Sequence, residues 1–205
     1  MISIRQLRLF SCLAALLTCG CNMAFHVKVQ SDPLKRPAFV RAGELTVGEL
    51  KDTRTVGDKG VVGVARNGFG VDVGVLRIKD ARLEAVLKEL VVNALKEAGY
   101  KSASPSDASA SSRRHVLEGE IKEFWLDGSG WSIWNQVTLV LRLRERAGGA
   151  VVWEREVKGR EDTPHSIGIW QSSQQSIREA LAIALNAAVV EFTSEEFHSK
   201  ATAGK

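Results

Sequence analysis

The chain has 205 residues, of which 28 are basic and 24 acidic, for a formal net charge of +4 at neutral pH. Residues 1–20 hold two basic and no acidic side chains, so the remainder carries only +2, too little to indicate a nucleic-acid-binding surface. All three cysteines, Cys12, Cys19 and Cys21, lie at the N-terminus, which leaves the following domain no disulfide, thiolate metal site or cysteine nucleophile.

The N-terminal segment has the layout of a secretory signal. Arg5 and Arg8 precede an apolar run over 9–17, which is too short for a permanent membrane span of about twenty residues. The sequence Leu-Thr-Cys-Gly-Cys over 17–21 resembles a lipobox, in which a small residue precedes the cysteine that is acylated. These features predict a signal peptide over 1–20 and a lipid on Cys21. Cys19 fits less well because Thr18 precedes it, and the alternatives are a plain secretory peptide or an uncleaved helix.

Residues 21–43 are predicted to form a lipidated tether. The segment contains Pro33 and Pro37 and no clear apolar period. About twenty extended residues at roughly 3.3 Å each would reach up to about 65 Å, although part of the segment could instead pack on the domain. Asn22, rather than Asp, next to the cysteine favours sorting to the outer membrane by the rule known for enteric-type lipoproteins, with the domain facing the periplasm.

The domain is predicted to span 44–197, followed by a flexible tail over 198–205. Its first half contains strand patterns at 44–50, 61–65 and 71–78. Asn67-Gly68 lies between the last two, and because both residues tolerate positive φ the pair predicts a hairpin turn.

The first helix has the clearest pattern in the chain. Apolar residues recur at i, i+3, i+4 and i+7 from Leu83 to Leu95, which predicts an amphipathic helix packed on a sheet. Asp80 is placed to cap its N-terminus, and Gly99 offers the left-handed residue that ends it.

The second half is predicted to contain strands at 115–126, 137–144 and 150–159 and a closing helix over about 173–192, with Ser172 at its cap. The alternation of apolar and polar residues is clearest from Val137 to Leu143. Together these elements predict a two-layer α+β domain, with an antiparallel or mixed sheet of about five to six strands and two amphipathic helices on one face.

The segment Val-Gly-Val-Ala-Arg-Asn-Gly-Phe-Gly over 62–70, the strand after it and a helix ending in Ala-Gly-Tyr over 98–100 resemble the YajG-like family of bacterial lipoproteins. The later hairpin and closing helix fit the same family, and the resemblance covers roughly 44–195. It implies a small envelope lipoprotein and transfers no catalytic residue. The layout is also similar to auxiliary lipoproteins of lipid and lipopolysaccharide transport systems, a likeness at the level of the fold.

The sequence contains no pattern typical of an enzyme, and we predict a non-catalytic protein without cofactor or metal. The histidines His26, His115, His165 and His198 are scattered without metal-ligand spacing. Glycines over 57–74 lack the strings that cradle phosphates and are assigned to turns. The glutamates at 118–123 and 154–156 alternate along strands, which favours a solvated face over paired acid–base catalysis.

The tryptophans suggest one contact surface. Trp125 and Trp153 are predicted in the core, whereas Trp131, Ile133 and Trp134 follow glycines at a predicted hairpin turn and are candidate partner contacts.

The sequence as a whole leaves two main candidate functions. One is a tethered binding or scaffold lipoprotein, which would use a flat patch. The other is an accessory of lipid or lipopolysaccharide transport, which would need an apolar groove. An envelope hydrolase is a weaker third.

Overall fold

The computed structural model describes residues 23–67, 69–79, 82–103, 113–129, 132–164 and 169–203. Its strands are β1 (Met23–Val27), β2 (Gly43–Asp52), β3 (Val61–Arg66), β4 (Asp72–Ile78), β5 (Tyr100–Ala103), β6 (His115–Ser129), β7 (Ser132–Glu145) and β8 (Val151–Pro164), and its helices are α1 (Leu83–Glu97), α2 (Ile169–Thr193) and α3 (Glu195–Thr202). The predicted α+β class is confirmed. The mixed sheet is larger than the predicted five to six strands, and three helices are described instead of two. Because the sheet curls, the domain is not the simple two-layer arrangement that was predicted.

The sheet is organised around β6, whose two edges carry different partners. One edge pairs with β7 in antiparallel register, and β7 pairs in the same way with β8. The other edge is shared by two parallel strands, with β2 beside the first half of β6 and β3 beside its second half. Beyond β2 lies β5, while beyond β3 lie β4 and then β1, so this edge divides into two wings. The predicted hairpin of β3 and β4 is confirmed.

A buried ion pair fills the junction between the two strands that share this edge. Arg54, from the connection between β2 and β3, is only 5 % exposed. Its guanidinium donates to both carboxylate oxygens of Asp52 at 2.7–3.1 Å. The same group donates at 2.7–3.2 Å to the backbone carbonyls of Lys59, Val61 and Phe124. One side chain thus bonds carbonyls of β3, β6 and the connection, beside the part of β6 that neither β2 nor β3 pairs.

The helices cover one face of the sheet and share a single apolar core with it. The predicted stripe of α1 is buried at Leu83, Leu87, Val91, Ala94 and Leu95. Along β7, the alternation is also confirmed, since the side chains of Val137, Leu139, Leu141 and Leu143 face the helices and are fully buried. Burial of each such side chain stabilises the fold by about 1.5–3 kcal/mol, which makes this layer the main source of cohesion.

Neither predicted N-terminal cap is observed. Arg82 occupies the cap of α1 without a side-chain hydrogen bond, and Asp80 lies outside the described residues. Because α2 already includes Ile169, Ser172 lies inside the helix, fully buried, and cannot cap it. Gly99 does end α1 with a φ of 97°, as predicted.

The segment predicted as a tether belongs largely to the domain. Residues 23–27 form β1, which pairs with β4, and both Val27 and Val29 are buried in the core. The prediction of an extended leash is therefore wrong for most of 21–43. The prolines and the lack of a regular apolar repeat do indicate an irregular backbone. Contacts of its side chains nevertheless keep this segment packed on the domain.

The irregular part of this segment runs along α2. Asp32 pairs with Arg178 at 3.1 Å. The backbone N–H of Lys35 donates to Oδ1 of Asn186 at 2.8 Å, and Arg41 donates to the carbonyl of Thr193 at 3.3 Å. These contacts are spread from the first half of the helix to its end, so the segment lies on the helix layer instead of leaving it.

The predicted flexible tail is helical over most of its length. α3 continues to Thr202, and Phe197 is fully buried. The Phe197 ring lies 4.7 Å from that of Trp153 and 5.5 Å from that of Tyr100, measured between centroids. This aromatic cluster anchors α3 on the sheet, which explains why the chain stays ordered beyond 197.

Replacing Asp52 by asparagine is expected to destabilise the fold by about 3–5 kcal/mol, because the buried Arg54 charge loses its counter-ion. Burial alone would raise the pKa of Asp52, but the hydrogen bonds and charge of Arg54 hold that pKa below its ordinary value of 3.8. The ionised pair therefore stabilises the fold above that pH, and its contribution is lost as the pH falls through the lowered pKa. Urea unfolding of both proteins from neutral to acidic pH measures this.

The matched control is Asp162→Asn, since Asp162 forms an exposed pair with Arg160 at 3.5 Å. This change should alter the free energy of unfolding by less than about 0.5 kcal/mol. An equally small loss for Asp52→Asn would contradict the structural role of the buried pair.

Gly159→Ala is expected to destabilise the fold by about 1–3 kcal/mol through overpacking. A Cβ at this position of β8 would lie 1.9 Å from the carbonyl oxygen of Ala180, so α2 would have to move away from the sheet. Gly57→Ala is the control, because a Cβ there meets no atom within 4 Å. Thermal unfolding that shifts equally for both variants would show that α2 does not pack this closely.

Candidate interaction surface

The three predicted contact residues do not form one exposed patch. β6 and β7 continue to Ser129 and Ser132, which pair with each other, so the next two residues belong to a strand instead of a loop. Side chains that follow one another in a strand point to opposite faces. Ile133 consequently faces the core and is fully buried, which removes it from the candidate surface. Trp134 faces outward, and Trp131 lies outside the described residues.

Trp134 and Trp125 share the outer face, the side of the sheet away from the helices. Both are partly buried, and they occupy diagonal positions on neighbouring strands, since Trp125 pairs with Gln136. The guanidinium of Arg160 lies 5.5 Å from the centroid of the Trp134 ring. The prediction of a core position is thus confirmed for Trp153, which is 3 % exposed, and is wrong for Trp125.

Paired charges cover the outer face of β6, β7 and β8 farther along the strands from these indoles. Arg142 in β7 bridges Glu120 in β6 and Glu154 in β8. One step along the sheet, Nε of Arg144 lies 3.2 Å from a carboxylate oxygen of Glu118. The predicted solvated face of alternating glutamates is therefore confirmed, with arginines as their partners.

The pairing shifts the pKa of two groups on this face, Glu120 and Arg142. Hydrogen bonds from Lys122 and Arg142 lower the pKa of Glu120 below its ordinary value of 4.5. Hydrogen bonds to Glu154 and Glu120 raise the pKa of Arg142. Glu120 therefore remains ionised at neutral pH and cannot donate a proton as a general acid does.

A cleft of about 400 Å³ opens on the same face between β2, β6 and β7. Its walls carry mainly charged and hydroxyl groups, among them Thr46, Lys51, Glu118, Glu120, Arg142 and Arg146. Such a lining can hydrogen-bond a polar ligand or the surface of a protein. It does not offer the predominantly apolar wall that sites for apolar ligands have.

The three histidines within the described residues are not gathered at a metal site. His115 is 4 % exposed, and its burial lowers its pKa. Nδ1 of His198 lies 3.1 Å from the Tyr100 hydroxyl, His26 is exposed on β1, and His165 lies outside the described residues. Within the described ranges, no three or more His, Cys, Asp or Glu side chains are grouped so that they could hold a metal ion.

The turn between β3 and β4 presents an exposed surface that the sequence analysis did not single out. Oδ1 of Asn67 accepts hydrogen bonds from the N–H groups of Phe69 at 2.9 Å and Val71 at 3.0 Å, and Gly70 takes a φ of 78°. This fixed turn leaves the Phe69 side chain 93 % exposed. The available signal was an aromatic residue inside an Asn-Gly-x-Gly turn, where polar residues are usual.

No protein-family model matches this chain, and neither does any curated protein. Membership of the YajG-like family therefore stays a prediction. The fold is similar to that of protein XCC0632 from Xanthomonas campestris, of the DUF330 family, with a TM-score of 0.58 at 15 % identity over 80 % of this chain and 91 % of that one. At this identity the similarity shows the fold alone.

More distant similarities include two bacterial lipoproteins. Lipoprotein GNA1162 from Neisseria meningitidis is 13 % identical with a TM-score of 0.40, over 73 % of this chain and 97 % of that one. A minor lipoprotein from Acinetobacter baumannii is 12 % identical with a TM-score of 0.38, over 82 % and 96 %. These scores are too low to carry an inference about this chain.

Ile133→Ala is expected to cost about 2–5 kcal/mol of stability, because it leaves a cavity in the core. Trp134→Ala should cost less, since its ring is partly exposed and a cation–π contact of this kind contributes about 0.5–1 kcal/mol. Denaturant midpoints of the two variants test the assignment. Similar small losses would place Ile133 back at the surface.

Proposed function

We propose that the protein is a non-catalytic lipoprotein of the cell envelope, anchored in the outer membrane through an acylated Cys21. The observation that carries this proposal is the signal ending in Gly20-Cys21, followed within two residues by the first strand of the domain. Among the described residues, none of the helices is long and apolar enough to cross a membrane. In this proposal the lipid is the anchor, and the domain faces the periplasm.

The domain would act by docking another envelope component on its outer sheet face. Trp134 and Arg160 are of the residue types enriched at protein–protein contacts. They share the outer face with the charge pairs centred on Arg142, which lie roughly 25 Å farther along β7. Because those charges neutralise one another, the face offers directional hydrogen bonds rather than a strong net field. A protein surface or peptidoglycan, both rich in hydrogen-bonding groups, suits such a face.

A role in lipid or lipopolysaccharide transport would need an apolar groove for an acyl chain. The outer cleft is lined by charged side chains. A cleft of about 300 Å³ at residues 31–34 has a mixed wall, in which Asp32, Lys96 and Glu97 accompany the apolar side chains of Pro33, Leu34, Leu90 and Leu185. The charged lining of the larger outer cleft supports the docking domain over the transport accessory.

Cys21→Ser is expected to abolish acylation and release the protein from the membrane fraction. Cys19→Ser is the matched control and should leave both unchanged, because Thr18 precedes Cys19 whereas the smaller Gly20 precedes Cys21. Mass spectrometry of the N-terminal peptide and density-gradient fractionation provide the readouts. An acylated, membrane-bound Cys21→Ser protein would overturn the anchor, and wild-type protein found only in the inner membrane would overturn the sorting by Asn22.

A further inference from the structure

One end of the sheet brings together the start of the folded chain and the exposed turn. β1 runs parallel to β4 with Met23 opposite Gly74, two residues after β4 begins. The turn that precedes β4 carries Phe69 and Val71. Met23 is therefore a neighbour of this turn. We call the surface formed by Met23, Phe69 and Val71 the anchor-side end.

The anchor-side end exposes apolar side chains on a rigid support. Phe69 is 93 %, Val71 58 % and Met23 53 % exposed. Asn67 fixes the turn through its side-chain and backbone hydrogen bonds. Behind the turn, the Arg66 guanidinium bonds Asp127 at 2.6–2.8 Å and Asp72 at 2.8 Å, so its charge is held and neutralised. Three exposed apolar side chains at the same end of the sheet indicate a contact surface.

The distance to the lipid identifies what this surface contacts. Cys21 precedes Met23 by two residues, which span at most about 7 Å. The residues after Met23 add no free chain length, because β1 is paired to β4 and the residues after β1 are held on α2. With its acyl chains in a bilayer, Cys21 therefore holds Met23 and the adjacent turn at the lipid headgroups.

We propose that the anchor-side end inserts into the interfacial region of the same membrane that holds Cys21, with Phe69 and Val71 entering between the headgroups. The proposal rests on the acylation of Cys21 proposed above. Apolar side chains presented at the boundary between headgroups and acyl chains are the usual means by which proteins lie on a bilayer. Insertion would turn a single flexible attachment into a fixed orientation, with the turn at 146–149 up to about 45 Å from the membrane along β7.

The chain permits clean labelling because its only cysteine after the signal is Cys21, whose sulfur the acyl group blocks. An environment-sensitive fluorophore is attached to the full-length acylated protein at Val71→Cys, and separately at Ala147→Cys in the exposed turn at the opposite end. Both proteins are added to phosphatidylethanolamine–phosphatidylglycerol vesicles that contain lipids with a shallow nitroxide. We expect a blue shift and strong quenching at position 71 and neither at position 147.

Phe69→Asp in the Val71→Cys protein should abolish the blue shift and the quenching while leaving the unfolding midpoint unchanged, because Phe69 contributes little to the core. A label at position 71 that is as open to water as that at position 147 would overturn the proposal. Protection at position 71 that persists without vesicles and grows with protein concentration would also overturn it, since a second copy would then cover the surface.

The mass of the N-terminal peptide separates this proposal from the one on which it rests. Acylated protein that floats with vesicles but shows a water-exposed label at position 71 overturns membrane insertion alone. Protein that carries no acyl group overturns both the lipoprotein assignment and the insertion.

Discussion

The buried Arg54–Asp52 pair allows one edge of a long strand to serve two partners. β6 has 15 residues, whereas β2 has 10 and β3 has 6, so neither covers that edge alone. Between Ile121 and Leu126 neither β2 nor β3 pairs with this edge of β6, and there the Arg54 guanidinium donates to the carbonyl of Phe124. Asp52 supplies the counter-charge that makes a buried guanidinium tolerable. The wing of β3, β4 and β1, and with it the position of Met23, depends on this junction.

The same wing removes the freedom that a lipoprotein tether would have. Gly74 accommodates β1, because a Cβ there would lie 2.3 Å from the carbonyl oxygen of Met23. Once β1 is paired, the following residues cross to α2 and are held there as far as Arg41. The free span between the proposed lipid and the fold shrinks from about twenty residues to two, from about 65 Å to about 7 Å. The placement of the domain relative to the membrane is then a property of the fold.

The elements that the sequence predicts correctly are those with one buried face, because burial of one face makes apolar residues recur at regular spacing. The stripe from Leu83 to Leu95 and the alternation from Val137 to Leu143 are of this kind. β1 was missed because it is five residues long, although Phe25, Val27 and Val29 do alternate. Of the candidate contacts, Ile133 was misplaced because β7 begins earlier than its β-branched run, and strand register then decides which side chain faces the core. Phe69 was overlooked because exposure depends on tertiary packing, which a local turn signal does not report.

Orientation at the membrane would decide what the outer face can reach. A net charge near +2 after residue 20 is too small to hold the domain on anionic lipids, and the charge pairs of the outer face cancel locally. Electrostatic attraction therefore does not orient the domain at the membrane, and its orientation would depend on the short anchor and the apolar turn. With that end in the interface, β6, β7 and β8 extend away from the headgroups. Trp134 then lies near the membrane end of β7, because it pairs with Asp127, which Arg66 bonds, whereas Arg142 lies roughly 25 Å farther out. A partner in the periplasm or attached to the same membrane could then reach the charge pairs around Arg142 without displacing lipid.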